Sequence, residues 1–364
     1  MQDAARKILI IRLSAIGDVL RVLPAFQVLK KNYPDASFGW VTEEASADIL
    51  KAHPGISEVF VFPKKTITRK LSSPLTFFSG LQEFFAFMKP IRAGGYDLAF
   101  DFHGLLKSGI ISLFSRAPRR VGFTMPFCGE GNYLFNNLRF PQDQKRVSRI
   151  RRNLNLLEKF GLTPEHERPV FHIPDADREV VQKFFRQQQI NPRLPIIAVH
   201  PGTSPTTPYK RWDPYRYAVV ADTVIEAHAA QVVFTWAGAE LDMVKNIVGQ
   251  MKYRAIVAPR TANLCQLAEI FRLSDLYLGS DTGPMHLAAF AGTPVIGLFG
   301  PTDPVINEPY SRTPHIILHD EVDCAPCRKR ACPRRECMKG IREESVIRAI
   351  QIMLDSFKLQ KAVL

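Results

Sequence analysis

The sequence contains no apolar run of the length, about 20 residues, that a bilayer-spanning helix needs, because glycine, proline or charged residues interrupt every apolar stretch. A secretory signal peptide is not expected, since residues 8–13 already form a predicted strand and no small-residue cleavage site follows them. The sequence contains no internal repeat of the kind that forms a solenoid. These absences favour a soluble, cytoplasmic protein with an ordinary globular fold.

Acidic residues are in the minority, because 35 Asp and Glu against 48 Lys and Arg give a formal net charge of +13. Such an excess favours an acidic partner: nucleic acid, an anionic membrane face or an anionic substrate. A basic but otherwise ordinary surface is the alternative. No zinc-finger, RNP or helix-turn-helix motif accompanies the charge. A membrane face or an anionic glycolipid therefore competes well with nucleic acid.

Cysteine is scarce, with six residues in the chain, and four of these are grouped as Cys324-x2-Cys327-x4-Cys332-x4-Cys337. In a cytosolic protein this spacing favours a metal site or reduced thiols over disulfides. The spacing matches no familiar zinc finger, and the loop is strongly basic. A basic loop with free thiols is the favoured interpretation, and a structural zinc site is the alternative.

With 364 residues, the chain is long enough for two domains of ordinary size. Short apolar strands alternate with amphipathic helical stretches from residue 7 onward, and the alternation resumes after a connection at 164–174. This order predicts an α/β protein with parallel, doubly wound sheets and a cleft between two Rossmann-like domains. We expect domains at 1–174 and 175–341, and a C-terminal helix at 342–364 that packs back on the N-terminal domain.

Residues 63–90 interrupt the alternation. Lys64, Lys65, Arg69 and Lys70 precede a phenylalanine-rich helical stretch at 75–88. Such a stretch can contact a membrane or a lipid-bearing substrate. A helix packed on the sheet after a solvated basic loop is an alternative that the residues support at least as well.

The stretch at 278–304 is the most informative part of the sequence. A predicted strand ends at residue 278, a small polar turn follows at 279–283, and a short apolar helix begins near residue 285. This geometry presents free backbone N–H groups and the positive end of a helix dipole to a phosphate. Asp281, Thr282 and His286 crowd the same turn, which an ordinary connection does not need. The stretch therefore predicts a site for a phosphate or a nucleotide sugar.

Seven motifs are spread along nearly the whole chain. They are ILIIRLSAIGDVLRVLPA at 8–25, DFHGLLKSG at 101–109, RRVGF at 119–123, GEGNYLFNN at 129–137, YKRWDP at 209–214, AGAE at 237–240 and SDTGPMHLAAFAGTPVIGLFGPTDP at 280–304. Together they resemble the ADP-heptose:lipopolysaccharide heptosyltransferases, glycosyltransferase family nine. The last motif is the most specific. The segments DFHGLLKSG and EGNYLFNN look more like heptosyltransferase I than the later-acting relatives. The four-cysteine loop also recurs in the family, without an implied metal.

The resemblance implies a GT-B fold, with two facing Rossmann-like domains, the acceptor in the N-terminal one and the donor in the C-terminal one. It implies inverting transfer of a heptose from ADP-heptose to a Kdo sugar of Kdo2-lipid A, by an enzyme bound peripherally to the cytoplasmic face of the inner membrane. Alternatives are a later-acting heptosyltransferase, a nucleotide-sugar epimerase of similar architecture, and a non-catalytic nucleotide-sugar-binding protein at the membrane surface.

Two residues are expected to carry the chemistry. Asp18 follows the first strand and matches the position of the family's proposed base, which would take the proton of the acceptor hydroxyl. Its alternative role is the N-cap of a helix at 19–31. Lys210 and the helix end at Thr282 and Gly283 would neutralise the departing diphosphate. No Asp-x-Asp pair with further carboxylates around it suggests a divalent ion, so neither a metal nor another cofactor is expected.

The remaining site residues are expected to bind the two substrates. The donor contacts are Thr203, Ser204, Lys210, Glu240, Asp281, Thr282, Gly283 and His286. Glu240 would accept hydrogen bonds from ribose hydroxyls, and Asp281 would contact the heptose, whereas for His286 a capping or core role is an equal alternative. The acceptor contacts are Gly17, Lys64, Lys65, Arg69, Lys107 and Arg120, whose cations suit carboxylates and phosphates.

Overall fold

The computed structural model describes residues 5–165, 169, 171–327, 329 and 331–362, the last six of these through their backbone alone. The chain divides into two compact units, Met1–His172 and Ile173–Leu364. The sequence places this boundary at residue 174. Within the expected connection at 164–174, residues 166–168 and 170 lie outside the described part.

The described residues of the first unit form one six-stranded parallel sheet with helices around it. Its strands are β1 (Lys7–Ile11), β2 (Ser37–Thr42), β3 (Glu58–Val61), β4 (Leu98–Asp101), β5 (Arg119–Phe123) and β6 (Leu138–Phe140). Its α-helices are α1 (Ile16–Leu20), α2 (Leu23–Asn32), α3 (Ala47–Lys51), α4 (Lys64–Leu71), α5 (Phe77–Gly94), α6 (Leu106–Phe114) and α7 (Arg149–Phe160). The strand order is β3-β2-β1-β4-β5-β6, with the first strand of the chain in the interior of the sheet.

The described residues of the second unit repeat this architecture. Its strands are β7 (Ile196–His200), β8 (Gln231–Phe234), β9 (Ile256–Val257), β10 (Leu276–Ser280), β11 (Val295–Phe299) and β12 (His315–His319). Its α-helices are α8 (Asp175–Gln187), α9 (Pro214–His228), α10 (Leu241–Gly249), α11 (Leu264–Arg272), α12 (Gly283–Ala291), α13 (Glu336–Lys339) and α14 (Glu343–Ala362). The strand order is β12-β11-β10-β7-β8-β9, again with parallel pairing. The α/β class with parallel sheets is confirmed.

Burial explains why the interior strands are continuous apolar runs. Ile8, Leu9, Ile10 and Ile11 of β1 are all buried, and every residue of β11 is buried as well. A strand with helices on both faces of its sheet must be apolar on both sides, unlike a strand with one face in solvent. The edge strands β6 and β12 were not predicted from the sequence, and both are partly exposed, so they lack this signal.

The predicted helix at 19–31 is two helices. The first, α1, ends at Leu20, and α2 begins at Leu23 with Pro24 in its first turn. Proline has no N–H and its ring excludes the carbonyl four residues earlier, so a continuous helix cannot pass through this position without a kink. The break places Asp18 inside a short helix of its own directly after β1.

One further expectation, a solvated loop at the basic residues before the phenylalanine-rich stretch, differs from the structure. Residues 64–71 form the helix α4 and not a loop. Ile67 of this helix is buried in the core of the first unit, which holds α4 against that unit. The C-terminal helix α14 buries Val346, Ile350 and Leu354 in the core of the second unit, against α9 and β10. These contacts make α14 part of the core of the second unit.

The carboxyl ends of the interior strands bring distant loops together in each unit. In the first, β1 pairs with β4 so that Ile11 lies opposite Asp101. In the second, β7 lies between β10 and β8, with His200 opposite Gly279. Parallel strands end at one edge, so the loops after them are neighbours, and this edge is where open α/β sheets bind ligands. Among the described helices, none combines the length and apolarity needed to span a membrane.

Candidate active site

Asp18 is surrounded by arginines in the first unit. It lies in the first turn of α1, and the N-cap position belongs to Ala15, so the N-cap alternative for Asp18 is wrong. Its carboxylate pairs with Arg12 at 2.7 Å, with Arg21 at 2.9 Å and with Arg149 at 2.5 Å. Arg12 and Arg21 are buried, whereas the side chain of Arg149 is 24% exposed. Arg149 is therefore the most accessible of the three partners.

These contacts determine the charge of Asp18. Burial raises the pKa of the carboxyl group, but the Coulombic attraction of Arg12, Arg149 and Arg21 outweighs burial and holds the pKa well below its usual value. Arg152 adds a further positive charge nearby, and burial with the neighbouring arginines lowers its pKa to about 10, so it stays protonated at neutral pH. One carboxylate thus lies among four guanidinium groups. The excess of positive charge suits an anionic ligand that arginine can bind through two parallel hydrogen bonds.

The loop after β4 is held by a buried carboxylate. Asp101 accepts hydrogen bonds from the main-chain N–H groups of His103 and Gly104, from Ser108 Oγ at 2.9 Å and from Asn132 Nδ2 at 2.6 Å. Gly104 adopts φ +72°, a conformation that favours glycine. Burial raises the pKa of Asp101, although these hydrogen bonds oppose the shift. The network fixes the backbone that carries His103.

His103 is a largely buried imidazole beside the arginine cluster. Neither ring nitrogen has a hydrogen-bond partner among the described residues. Burial, followed by the charges of Arg12 and Lys107, lowers its pKa to about 3, so the ring is neutral at physiological pH. Buried polar atoms in native proteins nearly always have partners. The unused nitrogens therefore favour a ligand with hydroxyl groups at this position.

Three of the predicted acceptor contacts lie near the same edge of the first sheet. Glu43, directly after β2, pairs with Lys107 at 2.8 Å and with Lys64 at 3.3 Å, so one carboxylate holds two cations. Both lysines also influence the pKa of the nearby imidazole. Gly17 is buried in α1, next to the predicted base.

The other predicted acceptor contacts are placed differently. Arg120 donates from Nε to the carbonyl of Phe135 at 3.0 Å and from Nη1 to the carbonyl of Ala117 at 2.8 Å. These bonds hold the guanidinium against the main chain of its own unit. Lys65 and Arg69 are exposed on α4. The geometry therefore favours the arginines around the β1 loop over Arg120 for direct contact with an anion.

In the second unit, the turn after β10 holds an ion pair. Lys210 Nζ donates to Asp281 Oδ2 at 2.8 Å and to the Asp281 main-chain oxygen at 3.2 Å. An ammonium has three N–H donors, so these contacts use two of the three. His286, buried in the first turn of α12, places Nε2 3.5 Å from Asp281 Oδ1. The structure thus brings together three of the residues predicted to bind the donor.

Glu240 lies over the loop that follows β7. Its Oε2 accepts a hydrogen bond from the Ala237 N–H at 2.8 Å and lies 3.6 Å from His200 Nε2. A Cβ at Gly202 would stand 2.1 Å from the carboxyl carbon of Glu240, so only glycine permits this approach. Burial raises the pKa of Glu240 and lowers that of His200 to about 4. The hydrogen bond from Ala237 and the close approach to Gly202 hold the Glu240 carboxylate at the carboxyl ends of the strands.

The loop after β7 and the start of α12 supply neutral donors. Thr203 is buried, and its Oγ1 has no hydrogen-bond partner among the described residues. A buried hydroxyl group of this kind is expected where a ligand binds. Ser204 is exposed, and its hydroxyl contacts Thr206 Oγ1 at 3.0 Å. Thr282 occupies the N-cap position of α12 and Gly283 is the first helical residue. The first N–H groups of a helix lack intrahelical partners and attract anions.

The four grouped cysteines line one small cavity of the second unit. All six cysteines of the chain are free thiols in this structure, and Cys324 is exposed. Burial raises the pKa of Cys337. Within the described ranges, no group of three or more His, Cys, Asp or Glu residues is arranged to hold a metal ion.

A model of the family described as glycosyltransferase family 9 (heptosyltransferase) matches residues 84–338. The chain belongs to glycosyltransferase family 9. It is therefore a glycosyltransferase, and the resemblance of its motifs to this family is confirmed. The matched range contains the loop after β4 and all of the predicted donor contacts, whereas Asp18 and its strand precede it.

Relatives in family 9 match most of the chain. Lipopolysaccharide heptosyltransferase 1 of Pseudomonas aeruginosa is 27% identical over 336 residues, which are 90% of this chain and 87% of that protein. Lipooligosaccharide heptosyltransferase 2 of Campylobacter jejuni is 25% identical over 352 residues, which are 94% of this chain and 97% of that protein. The crystal structure of a family 9 glycosyltransferase from Veillonella parvula superposes with a TM-score of 0.82 at 26% identity, covering 98% and 99% of the two chains. The GT-B fold class is confirmed.

Sequence patterning missed the arginines around Asp18. Arg21 lies three residues after Asp18, a helical spacing that places the two side chains on one face and could have indicated the pair. Arg149 pairs with Asp18 across 131 positions of sequence. No local pattern reports such a contact, since only the packing of α7 in the first unit creates it.

Proposed function

We propose that this family 9 glycosyltransferase moves a heptose from ADP-heptose to a Kdo sugar of Kdo2-lipid A, with inversion and without a metal ion, at the inner face of the cytoplasmic membrane during lipopolysaccharide core synthesis. The observation that carries the proposal is the carboxylate of Asp18 among the guanidinium groups of Arg12, Arg21, Arg149 and Arg152. A base within a cluster of arginines suits an acceptor whose reacting hydroxyl lies close to its own carboxylates and phosphates.

The proposed reaction is a single displacement. The acceptor hydroxyl oxygen attacks the anomeric carbon of the heptose, and its proton passes to a carboxylate oxygen of Asp18. The bond between that carbon and the diphosphate oxygen breaks, and its electron pair leaves with ADP. Attack on the face opposite the leaving group inverts the anomeric configuration.

The second unit would bind the donor. The remaining N–H of Lys210 and the first turn of α12 would hold the diphosphate and stabilise the charge that develops on it. Thr203, whose buried hydroxyl has no partner among the described residues, would donate to the same group, and Ser204 would lie at its exposed rim. Glu240 would accept hydrogen bonds from the ribose, and Asp281, oriented by Lys210 and His286, would contact the heptose.

Acceptor binding would also activate the base. Three guanidinium groups make Asp18 a weak base when no ligand is present, because they hold its pKa well below the usual value. A carboxylate or phosphate of the acceptor would draw the accessible Arg149 toward itself. The pKa of Asp18 would then rise in the complex, toward the value a base needs. His103, whose ring nitrogens have no hydrogen-bond partner among the described residues, would bind an acceptor hydroxyl as a neutral group, beside Gly17, Lys64 and Lys107.

An Arg149→Gln variant tests this arrangement through the pH profile of kcat/KM for the acceptor. Activity requires ionised Asp18, so it falls as the pH falls through the pKa of that group. Removal of Arg149 raises this pKa, and the acidic limb should move to higher pH, while acceptor affinity falls about tenfold to a hundredfold through the lost charge-assisted contact.

The matched control for this test is Arg151→Gln on the same helix, since Arg151 is half exposed and pairs with Glu158. In Arg151→Gln, kcat/KM should fall at the same acidic pH as in the unmodified protein. An unmoved limb in Arg149→Gln would show that Arg149 does not control the reacting carboxyl group.

The proposed acceptor and metal independence are tested together by following ADP release with two acceptors. Kdo2-lipid A should support release at full rate with EDTA present, because Lys210 and the helix end neutralise the leaving group. The same glycolipid already bearing one heptose should be a poor acceptor. Faster release with the heptosylated acceptor would instead favour the later-acting role suggested by the similarity to heptosyltransferase 2 of Campylobacter jejuni. A rate that EDTA abolishes would overturn metal independence.

A further inference from the structure

The turn between α4 and α5 and the first residues of α5 expose an unusual concentration of large apolar side chains. Leu75 is 97% exposed, Phe78 is 78% exposed and Phe77 is 42% exposed. We call these three residues the apolar tip. Elsewhere in the described chain, large exposed apolar side chains are spread out, with no three of them within four positions. Scattered exposed apolar residues are normal, whereas a cluster marks an interaction surface.

The helix α5 divides its phenylalanines between two faces. Phe84, Phe87 and Met88 pack toward the core of the first unit. Phe78 and Phe85, seven positions apart, are exposed, although the Phe85 ring also contacts the rings of Phe84 and Phe114. Residues at this spacing share one face of a helix. The core therefore accounts for part of the phenylalanine-rich stretch, and the side chains exposed at its start form a candidate contact surface.

The tip is presented by a firmly packed pair of helices. Lys70 of α4 pairs with Glu83 of α5 and donates to Ser79 Oγ at 3.2 Å. A Cβ at Gly80 would meet Leu71 Cδ2 at 2.9 Å, which shows how closely the two helices approach. Their connection is therefore held in place, and the exposure of the tip does not result from a loosely attached segment.

The charges around the tip indicate what it contacts. Residues 63–95 contain six Lys and Arg and one acidic residue, Glu83, which is already paired. Lys65, Arg69 and Lys89 are exposed, and none has an ion-pair partner within the described residues. Apolar side chains flanked by unpaired cations match the interface of an anionic lipid bilayer, where the side chains enter the acyl boundary and the cations meet the headgroups.

We propose that the apolar tip inserts into an anionic lipid surface and that Lys65, Arg69 and Lys89 bind its headgroups. This membrane contact extends the proposed function. It rests on that function only for the identity of the membrane, the inner face of the cytoplasmic membrane. It assigns the membrane contact to α4, α5 and their turn. Vesicle binding through the tip does not depend on the transfer reaction. An experiment can therefore reject the membrane contact or the proposed reaction and leave the other in place.

Vesicle flotation with the full chain tests the proposal. An equimolar mixture of phosphatidylglycerol and phosphatidylcholine should bind the protein, phosphatidylcholine alone should bind it more weakly, and added salt should reduce the binding. A Leu75→Ser, Phe78→Ser double variant should lose about tenfold or more in vesicle affinity. The matched control is Val180→Ser with Ile352→Ser, which removes two apolar side chains that are 52% and 54% exposed in the second unit. Its affinity should not change.

A second measurement separates docking from the reaction. With a deacylated, water-soluble acceptor, the tip variant should transfer heptose as fast as the unmodified protein. Equal vesicle binding by the tip variant, or slower transfer to the soluble acceptor, would overturn the proposal. Self-association that ignores vesicles and disappears in the tip variant would also overturn it, in favour of a protein interface. Vesicle binding that depends on the tip, without transfer to any acceptor, would support docking and reject the proposed function.

Discussion

An Asp18→Asn variant should retain its fold and its affinity for ADP but lose about a hundredfold to ten-thousandfold in kcat, the usual contribution of a positioned base. Asparagine keeps an oxygen that can accept from the guanidinium groups, yet it cannot take a proton. The measurement is single-turnover transfer at saturating donor and acceptor, so that weaker binding does not lower the rate. The loss should appear in the chemical step.

Stability needs its own measurement in this variant. The depressed pKa of Asp18 means that its ionised form stabilises the fold above the usual carboxyl pKa, and that this stabilisation is lost as the pH falls through the depressed value. Asparagine removes the contribution at neutral pH, so the melting temperature should fall. Glu158→Gln, which breaks another carboxylate–arginine pair of the first unit, serves as the control with unchanged kcat. Turnover near the unmodified rate in folded Asp18→Asn would contradict the assignment of the base.

A Lys210→Ala variant should lower kcat/KM for the donor about a hundredfold to a thousandfold, as expected when a charge that stabilises the leaving group is removed. The same substitution also removes the ammonium partner of Asp281. Part of the loss could therefore come from repulsion between that carboxylate and the diphosphate. Lys252→Ala removes an exposed lysine of the same unit and should leave the donor kinetics unchanged.

The double variant Lys210→Ala, Asp281→Asn separates the two causes. If Lys210 acts on the diphosphate, the double variant stays at least as slow as Lys210→Ala. Recovery of the donor kinetics in the double variant would mean that Lys210 serves mainly to neutralise Asp281, and its proposed contact with the leaving group would be wrong.

The parts of this protein that sequence patterning predicts are those governed by local rules. Interior parallel strands such as β1 and β11 are continuous apolar runs, and Pro284 and Gly292 bracket α12 at its start and end. The alternation of such elements predicts both sheets. It also predicts that Asp18 and Asp281 lie at the carboxyl ends of strands, where ligands bind.

The parts that it does not predict depend on packing between distant segments. The arginine cluster requires α7 to bring Arg149 to a residue 131 positions earlier. The approach of Glu240 to Gly202 depends equally on neighbouring strand ends, β7 and β8. The split of residues 77–94 into a packed and an exposed side depends on which face of α5 meets the sheet. Composition indicates a basic protein with an anionic partner, but only the structure shows which cations are already paired.

Heptose transfer to Kdo can be measured by mass spectrometry of Kdo2-lipid A after incubation with ADP-heptose and the purified protein. We expect a product heavier by one heptose, with an equal amount of ADP released, and far less of this product from Asp18→Asn in the same time. An unchanged glycolipid, while ADP-heptose still protects the protein against heat, would contradict the proposed acceptor and leave the donor site in place.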